Sequence, residues 1–261
     1  MTASLLITGG TGTLGRLVVS RLRAGGCRVR VLSRHDHETE DGLEFMVGDL
    51  STGDGLDGAV ANVGTIVHLA GSAKGDEEKA RNLVGAAARS GARHLVYISV
   101  VGAERIPVVS GIDRAMFGYF AAKRAAECLV EGSGLPWTIL RATQFHDLTL
   151  ATMRQLAKLP VVPIPAGIRF QPIDADEVAS RLVELTLGTP SGLASDIAGP
   201  RVYDMTELLR SYLRASRQQR LILPIGLPGK AARALRAGAN LAPERAVGQR
   251  TWEDFLTERL R

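Results

Sequence analysis

The chain has 261 residues, of which 45% are hydrophobic and 23% are charged, and its formal net charge is +5. This length and balance are typical of a globular protein with a large core and exclude a disordered chain. No stretch approaches the roughly 20 apolar residues of a membrane span, and the apolar run near the N-terminus is too short for a signal peptide. We therefore expect a cytoplasmic protein without a membrane partner. The two cysteines, Cys27 and Cys128, predict neither a disulfide framework nor a metal site.

The first 145 residues alternate short apolar runs with amphipathic segments. Strands are predicted at residues 4–8, 28–33, 43–47, 65–70, 94–99 and 137–142. Helices are clearest at residues 14–24, 77–90 and 115–131, and glycines follow each of them, as is typical of helix C-termini. Strands and helices that alternate in this way predict a parallel sheet with helices on both faces.

After about residue 145 the pattern becomes less regular. A Pro-rich extended stretch is followed by predicted helices at 175–188 and 205–216, a last strand within "SDIAG" (195–199), and two or three short helices in the tail. We interpret residues 1–145 as the sheet region and residues 146–261 as a smaller C-terminal lobe. The last strand joins the sheet, so that both parts form a single compact unit.

The positive charge comes mainly from arginine, which is abundant in the last sixty or so residues. These arginines are spaced along helices among Leu and Ala, as in "ELLRSYLRAS" and "AARALRAG", and do not form a block with interleaved aromatic residues. Such spacing is typical of solvated helix faces and argues against a nucleic-acid partner.

A glycine-rich turn connects the first strand to the first helix in "LLITGGTGTLGRLVVSRLR". The pattern G-x-G-x-x-G provides a tight turn, close approach of the backbone to a pyrophosphate, and tight helix-to-strand packing. Free N–H groups at the start of the helix complete a phosphate site. We therefore predict a doubly wound, Rossmann-type α/β fold that binds a dinucleotide. The residues that we assign to this loop are Gly9, Gly10, Thr11, Gly12, Thr13, Leu14 and Gly15.

The end of the second strand bears on the choice between NAD(H) and NADP(H). An NAD-binding site usually has an acidic residue there, which binds the ribose hydroxyls. This chain has Ser33 and Arg34 instead, and a guanidinium pairs well with a 2′-phosphate. NADP(H) is therefore favoured, although Asp36 leaves NAD(H) open. After the third strand, "VGDL" places Asp49 where its carboxylate can reach the adenine amino group.

Several motifs together resemble those of the short-chain dehydrogenase/reductase superfamily: "TGGTGTLG", "GDL", "HLAG", "YISVVG", "YFAAK" and "LPWTILRATQF". The resemblance is strongest to the NmrA-like branch of NAD(P)H-binding proteins. It covers the chain to about residue 147 and extends more loosely through "FQPIDADEVA" and "DIAGPRVYDMTELL". It implies an NAD(P)-binding region at 1–145 and a substrate-binding lobe at 146–261.

The resemblance also implies an NADP(H)-dependent oxidoreductase that acts on a small, apolar carbonyl, hydroxyl or enone substrate. Tyr119 in "YFAAK" is then the general acid/base, and Lys123 holds the nicotinamide ribose and stabilises the phenolate of Tyr119. The resemblance implies further cofactor contacts from Leu50, Ala70, Gly71, Ala142, Thr143, Gln144 and Phe145.

One departure from the family concerns the third catalytic group. Active members place a Ser or Thr just past the fifth strand to bind the substrate oxygen, whereas here Ser99 is followed by Val100 and Val101. We name Ser99 as the candidate and keep Ser110 in the next loop as the alternative. The gap leaves two other functions open, which are a non-catalytic NADP(H)-sensing regulator and an enzyme like the nucleotide-sugar epimerases and dehydratases. Helices on the outer sheet face would also permit a homo-oligomer.

His68 and Asp147 are assigned structural roles. His68 lies in a predicted buried strand and is expected to pack in the core. Asp147, next to His146, is expected to cap a helix. No grouping of His or Cys in the sequence has the spacing of metal ligands.

Overall fold

The computed structural model describes residues 4–71 and 75–260. The elements of the first two thirds of the chain are β1 (Ser4–Thr8), α1 (Thr13–Ala24), β2 (Arg28–Ser33), β3 (Leu43–Val47), α2 (Leu56–Val60), β4 (Thr65–His68), α3 (Asp76–Ser90), β5 (His94–Val100), α4 (Gly111–Glu131), β6 (Trp137–Ala142), α5 (His146–Leu156), β7 (Val161–Pro165) and β8 (Arg169–Phe170). They are followed by α6 (Ala175–Leu187), β9 (Gly192–Leu193), β10 (Tyr203–Asp204), α7 (Met205–Ala215), β11 (Leu221–Ile225), α8 (Lys230–Arg236), a 3₁₀ turn (Pro243–Arg245) and α9 (Trp252–Arg259).

A parallel sheet of seven strands runs in the order β3-β2-β1-β4-β5-β6-β9. The strand β1 pairs on both sides, with Leu5 opposite Val29 of β2 and Thr65 of β4. The chain reverses its direction of progress through the sheet at β1, which is the doubly wound order of a dinucleotide-binding fold. The predicted fold class is confirmed.

The predicted last strand was placed a few residues too late. In the structure β9 is Gly192–Leu193, with Gly192 opposite Thr138, whereas Ile197 forms only an isolated bridge with Ala142. Ile197 and its neighbour Ala198 are buried, so they gave the apolar signal of a strand without making a strand's ladder.

The chain forms two compact units that interleave along the sequence. The first comprises Met1–Ser99, Ala122–Leu140 and Val178–Ser195, and the second comprises Val100–Ala121, Arg141–Glu177 and Asp196–Arg261. The predicted functional division after residue 145 stays a prediction.

The core of the first unit lies between the sheet and the helices. Leu6, Ile66, Leu95 and Ile139 of four neighbouring strands are fully buried. In α1 the buried residues include Leu14, Val18 and Leu22, which recur every fourth position and so form one helix face. Gly91, with φ of +70°, ends α3 in the left-handed conformation that glycine adopts at helix C-termini.

The second unit has a separate aromatic core. Its two small sheets pair β7 with β11 in parallel and β8 with β10 in antiparallel orientation. Trp252 and Phe255 of α9 are buried beside Tyr203 and Leu209. The Thr251 hydroxyl accepts the Asp254 N–H in a capping box, which fixes the start of α9.

The helix after "QF" begins two residues earlier than a cap at Asp147 would place it. Phe145 is the N-cap of α5, so Asp147 lies in the first turn, and its carboxylate accepts a hydrogen bond from Arg259 at 3.1 Å. The prediction that Asp147 caps a helix was therefore wrong, because the N-cap lies two residues before it. His146 stacks on Trp252 and Phe255 and is buried in the aromatic core. Within residues 4–71 and 75–260, no helix has the length and apolar character to cross a membrane.

Candidate cofactor-binding site

The glycine loop is tightly folded on itself and on the segment after β4. The N–H of Gly12 donates to the carbonyl of Gly9 at 3.0 Å. Gly9 has a φ of +72°, and a Cβ there would lie 2.6 Å from the backbone nitrogen of Ala70. A Cβ on Gly15 would lie 2.0 Å from the Gly9 oxygen. Glycine is therefore required at both positions by the packing of the loop itself.

The start of α1 is open to an anion. Thr11, Gly12 and Thr13 are exposed, and a Cβ on Gly12 would meet only the Gly9 oxygen, at 3.3 Å. No side chain in the described part of the chain caps this helix, and its first turn holds no acidic residue. Uncapped N–H groups at a helix N-terminus bind phosphate. The loop thus fits the diphosphate of a dinucleotide cofactor.

The loop after β2 is ordered by the Ser33 hydroxyl. Ser33 is buried, and its oxygen accepts the N–H of His35 at 3.1 Å and lies 3.0 Å from the ring nitrogen of His37. The exposed Arg34 stands between these contacts, and the Asp36 carboxylate accepts the N–H of His37. Ser33 therefore holds the loop, whereas Arg34 is the residue at this position that supplies exposed positive charge.

The loop after β3 is held by a helix residue that sequence reasoning did not find. The Asn82 side chain on α3 donates to the carbonyls of Leu50 at 2.8 Å and Ser51 at 3.2 Å. The Asp49 carboxylate accepts the N–H of Ser51 at 2.7 Å, and Leu50 is buried in the core. A single Asn in an amphipathic helix carries no sequence signal for such a contact.

Lys123 is buried in the first unit, and the described contacts of its ammonium group include a carboxylate, a carbonyl and an aromatic ring. Its Nζ lies 3.3 Å from a carboxylate oxygen of Asp76 and donates to the carbonyl of Ile98, also at 3.3 Å. It lies 5.0 Å from the centre of the Tyr97 ring, a cation–π distance. A Cβ on Gly71 would come within 3.2 Å of the same nitrogen. Two predicted site residues, Gly71 and Lys123, are therefore adjacent.

Burial and charge act in opposite directions on Lys123. Burial lowers the pKa of its ammonium group below the usual value, and Asp76 opposes this shift by Coulombic attraction and hydrogen bonding. Sequence reasoning missed Asp76, because it is one of three consecutive acids in the first turn of α3 and nothing in the sequence separates it from the other two.

His68 is a core residue, as expected. Its Nδ1 shares a 2.7 Å hydrogen bond with the Thr8 hydroxyl, and its ring stacks on Tyr97 with the centroids 5.3 Å apart. Burial, with smaller contributions from the nearby charges of Lys123 and Lys79, lowers the pKa of His68 to about 3. His68 is therefore neutral at physiological pH.

Tyr119 is partly exposed, whereas Ser99 is buried, as Lys123 is. Tyr119 lies one turn before Lys123 on α4, is 38% exposed, and meets the ring of Phe120 edge-on at 5.8 Å. Ser99 is 5% exposed, and its hydroxyl has no hydrogen-bond partner within the described residues. The alternative, Ser110, is engaged at the start of α4, where its hydroxyl donates to Asp113 at 2.8 Å.

The predicted cofactor residues after β6 belong to the second unit. Ala142 ends the strand, and the Thr143 hydroxyl accepts the N–H of Gly199 at 3.4 Å. Gln144 and Phe145 are partly buried, and the carbonyl of Gln144 accepts the N–H of Ile173. These contacts order the segment, and its role toward a cofactor stays a prediction.

Residues 9–185, about two thirds of the chain, match the model of a protein family described as NAD(P)H-binding. The chain belongs to this NAD(P)H-binding family. This match confirms the predicted relationship to NAD(P)H-binding proteins.

Two relatives of this chain are named as reductases. The chain is 30% identical over 209 residues to the (4-alkanoyl-5-oxo-2,5-dihydrofuran-3-yl)methyl phosphate reductase of Streptomyces griseus, which covers 78% of this chain and 70% of that protein. It is 32% identical over 224 residues to the ceramide reductase of Caulobacter vibrioides, which covers 78% of this chain and 68% of that protein.

The fold matches solved structures over nearly the whole chain. The NADPH-dependent quinone oxidoreductase of Escherichia coli, complexed with NADPH, superposes with a TM-score of 0.80. The match covers 98% of this chain and 100% of the other at 17% identity, so it establishes the fold. The chain therefore combines membership of an NAD(P)H-binding family with a fold that an NADPH-dependent oxidoreductase shares.

Proposed function

We propose that the protein is an NADP(H)-dependent oxidoreductase that transfers hydride to or from a small, apolar substrate with a carbonyl, hydroxyl or enone group. The observation that carries the proposal is the open, uncapped N-terminus of α1 behind the Gly9–Gly15 loop, which fits a diphosphate. The two relatives named as reductases support the reaction class.

The preference for NADP(H) rests on the charge around the loop after β2. Arg34 is exposed where an NAD-binding protein would carry an acid, and the exposed Arg16 donates to the carbonyl of Thr11 within the phosphate loop. Both guanidinium groups favour a 2′-phosphate over a free hydroxyl.

The cofactor preference is tested by titrating NADPH and NADH into the protein and into Arg34→Ala. Loss of a charge-assisted contact of about 1.5 to 3 kcal/mol should raise the Kd for NADPH at least about tenfold and leave the Kd for NADH unchanged. Arg28→Ala, at the opposite end of β2, is the charge-matched control. Equal affinities for the two cofactors in the unsubstituted protein would refute the preference.

Tyr119 and Lys123 are proposed to act on adjacent turns of α4. A reduced nicotinamide, when bound, supplies the hydride. Tyr119 gives the proton to the substrate oxygen, or takes it in the reverse direction, and the cationic Lys123 stabilises the phenolate that this leaves. The partial exposure of Tyr119 is consistent with a group that meets substrate.

An apolar substrate is supported by the surface of α4 itself. Ile112, Met116 and Tyr119 are exposed and recur at helical spacing, with the exposed Val109 just before the helix. Exposed apolar side chains on one helix face mark a binding surface. The relatives' names, with an alkanoyl group in one and ceramide in the other, agree with an apolar substrate.

The proton-transfer role is tested with Tyr119→Phe on a substrate identified by screening with NADPH. The substitution should lower kcat by about 100-fold or more and leave the Kd for NADPH unchanged. Tyr212→Phe, which removes a phenol from the core of the second unit, should retain full turnover. Full turnover in Tyr119→Phe would refute the role.

A second candidate function is a non-catalytic NADP(H) sensor, and Ser99 is the observation that favours it. Its hydroxyl is buried in β5, and Val100 and Val101 follow where a substrate-binding hydroxyl is expected. This function predicts tight NADPH binding, no turnover on a broad panel of carbonyl compounds, and a protein partner bound in only one redox state of the cofactor. Turnover of any panel member would exclude it.

A further inference from the structure

The carboxylate of Asp76 lies between two lysines inside the first unit. One oxygen is 3.3 Å from Nζ of Lys123, and the other is 4.0 Å from Nζ of Lys79. Asp76 is 1% exposed and Lys123 is 3% exposed, so the pair is removed from water. Asp76 opens α3, where the helix dipole stabilises a negative charge.

The ammonium of Lys123 depends on this carboxylate for its charge. Burial favours the neutral amine, and the like charge of Lys79 acts in the same direction. The other acid that acts on Lys123 is Glu127, which is already paired with Arg124 at 2.9 Å. The described neighbours of the ammonium also include the Ile98 carbonyl, the Tyr97 ring and the neutral His68, none of which carries a net charge.

Gly71 links this ion pair to the proposed cofactor site. It is exposed, and the position that a Cβ on it would take lies 3.2 Å from the Lys123 nitrogen and 3.5 Å from a carboxylate oxygen of Asp76. A side chain at position 71 would crowd the ammonium of Lys123, whereas glycine lets the Lys123 nitrogen lie against the backbone of the segment after β4.

We infer that Asp76 is a positioning residue, which holds Lys123 charged and in place beside Gly71 for contact with the cofactor. The inference rests on the proposed function, because that proposal makes Lys123 a cofactor contact. In this inference Asp76 acts on the cofactor through Lys123.

The consequence is a pH dependence that appears only when the carboxylate is removed. With Asp76 in place, its carboxylate opposes the downward shift in the pKa of Lys123, and we expect the Kd for NADPH to vary little across the neutral range. In Asp76→Asn, burial and Lys79 lower the pKa of Lys123 without opposition from Asp76. Above that new pKa, tight cofactor binding takes up one proton, so the Kd rises by up to about tenfold per pH unit until it reaches the weak affinity of the uncharged side chain.

The experiment measures the Kd for NADPH by cofactor fluorescence across the neutral range, from pH 6 to pH 8. The variants are Asp76→Asn, Lys123→Met, the double variant, and Glu78→Gln as the matched control. Glu78 is exposed in the same turn of α3, so its substitution makes the same change of charge without touching Lys123. We expect a rising Kd only in Asp76→Asn, and a weak, pH-independent affinity in Lys123→Met.

The double variant separates action through Lys123 from general disruption. Adding Asp76→Asn to Lys123→Met should change the Kd less than about twofold, because no ammonium remains to be held. Asp76→Glu restores the carboxylate and should restore a flat profile, and it serves as the readout if Asp76→Asn does not fold by circular dichroism.

The outcomes distinguish the inference from the proposed function. A flat profile in folded Asp76→Asn, or a rising one in Asp76→Glu, would overturn the inference while the function stood. No binding of NADPH to the unsubstituted protein, or unchanged affinity in Lys123→Met, would instead remove the role of Lys123 on which the inference rests.

Discussion

The buried His68 should make the protein lose stability in mild acid. Its ring is fully enclosed, bonded to Thr8 and stacked on Tyr97, and burial lowers its pKa from 6.5 to about 3. Protonation would place a second cation beside Lys123, with no acid in contact with the ring among the interactions described above. The perturbation is therefore a fall in pH, compared between the unsubstituted protein and His68→Gln.

The sign and size of the effect follow from proton linkage. Between pH 6.5 and about pH 3 the unfolded chain binds a proton at His68 that the folded chain does not. The neutral histidine's contribution is fully present above pH 6.5 and is lost as the pH falls. The free energy of unfolding should decrease by about 1.4 kcal/mol per pH unit, or about 3 kcal/mol by pH 4.

The assay is urea unfolding, followed by circular dichroism, at several pH values between 7 and 4. His94 and His146 are also buried with lowered pKa values, so the unsubstituted protein's slope includes their contributions. The diagnostic quantity is the difference in slope between the unsubstituted protein and His68→Gln. His35→Gln, which changes an exposed loop histidine, should reproduce the slope of the unsubstituted protein.

Parallel pH profiles for the unsubstituted protein and His68→Gln would refute this reasoning. They would mean that the folded state accommodates the imidazolium, by rearrangement or by water entering beside Thr8. A slope lost equally in His35→Gln would show that the effect is not specific to the buried ring.

Other substitutions test the loop and the second core. Gly15→Ala should lower the free energy of unfolding by about 1 to 3 kcal/mol, because its Cβ would lie 2.0 Å from a carbonyl oxygen of the same loop. Thermal melts should show a much smaller loss of stability in Gly12→Ala. Gly12→Ala should nevertheless weaken NADPH binding in a fluorescence titration, because the methyl group occupies the phosphate approach; unchanged affinity would contradict the assigned anion site. Tyr203→Phe should cost about 1 to 3 kcal/mol in urea unfolding, because the hydroxyl both donates to Glu253 at 2.7 Å and accepts the N–H of Trp252 at 3.3 Å; a neutral effect would show that neither bond contributes.

The sheet was predictable because local signals agreed with the final fold. The strands at residues 4–8, 28–33, 43–47 and 137–142 have the predicted bounds, and the helices end at the expected glycines. The pairing of β7 with β11 was not predictable. Pro163, Pro165 and Pro224 interrupt the two segments and hide their strand character, and their partnership spans about sixty residues of sequence.

The candidate site was predictable where a motif is contiguous and not where contacts are distant. The phosphate loop needs glycines at fixed offsets, so a single stretch of sequence carries the whole signal. The partners of Lys123 and Leu50 come from α3, and the acid and the amide involved look like ordinary helix surface residues in sequence. Tertiary packing, not local pattern, selected Asp76 from its acidic neighbours.

The interleaving of the two units limits how this protein can be cut or recombined. The chain passes from one unit to the other five times, and the passages at residues 121–122, 140–141 and 177–178 fall within α4, β6 and α6. Exposed loops, not hydrogen-bonded helices and strands, are where chains tolerate cleavage and insertion. A substrate lobe from a relative therefore cannot be grafted at one splice point. New specificity in this scaffold has to arise by substitution in place.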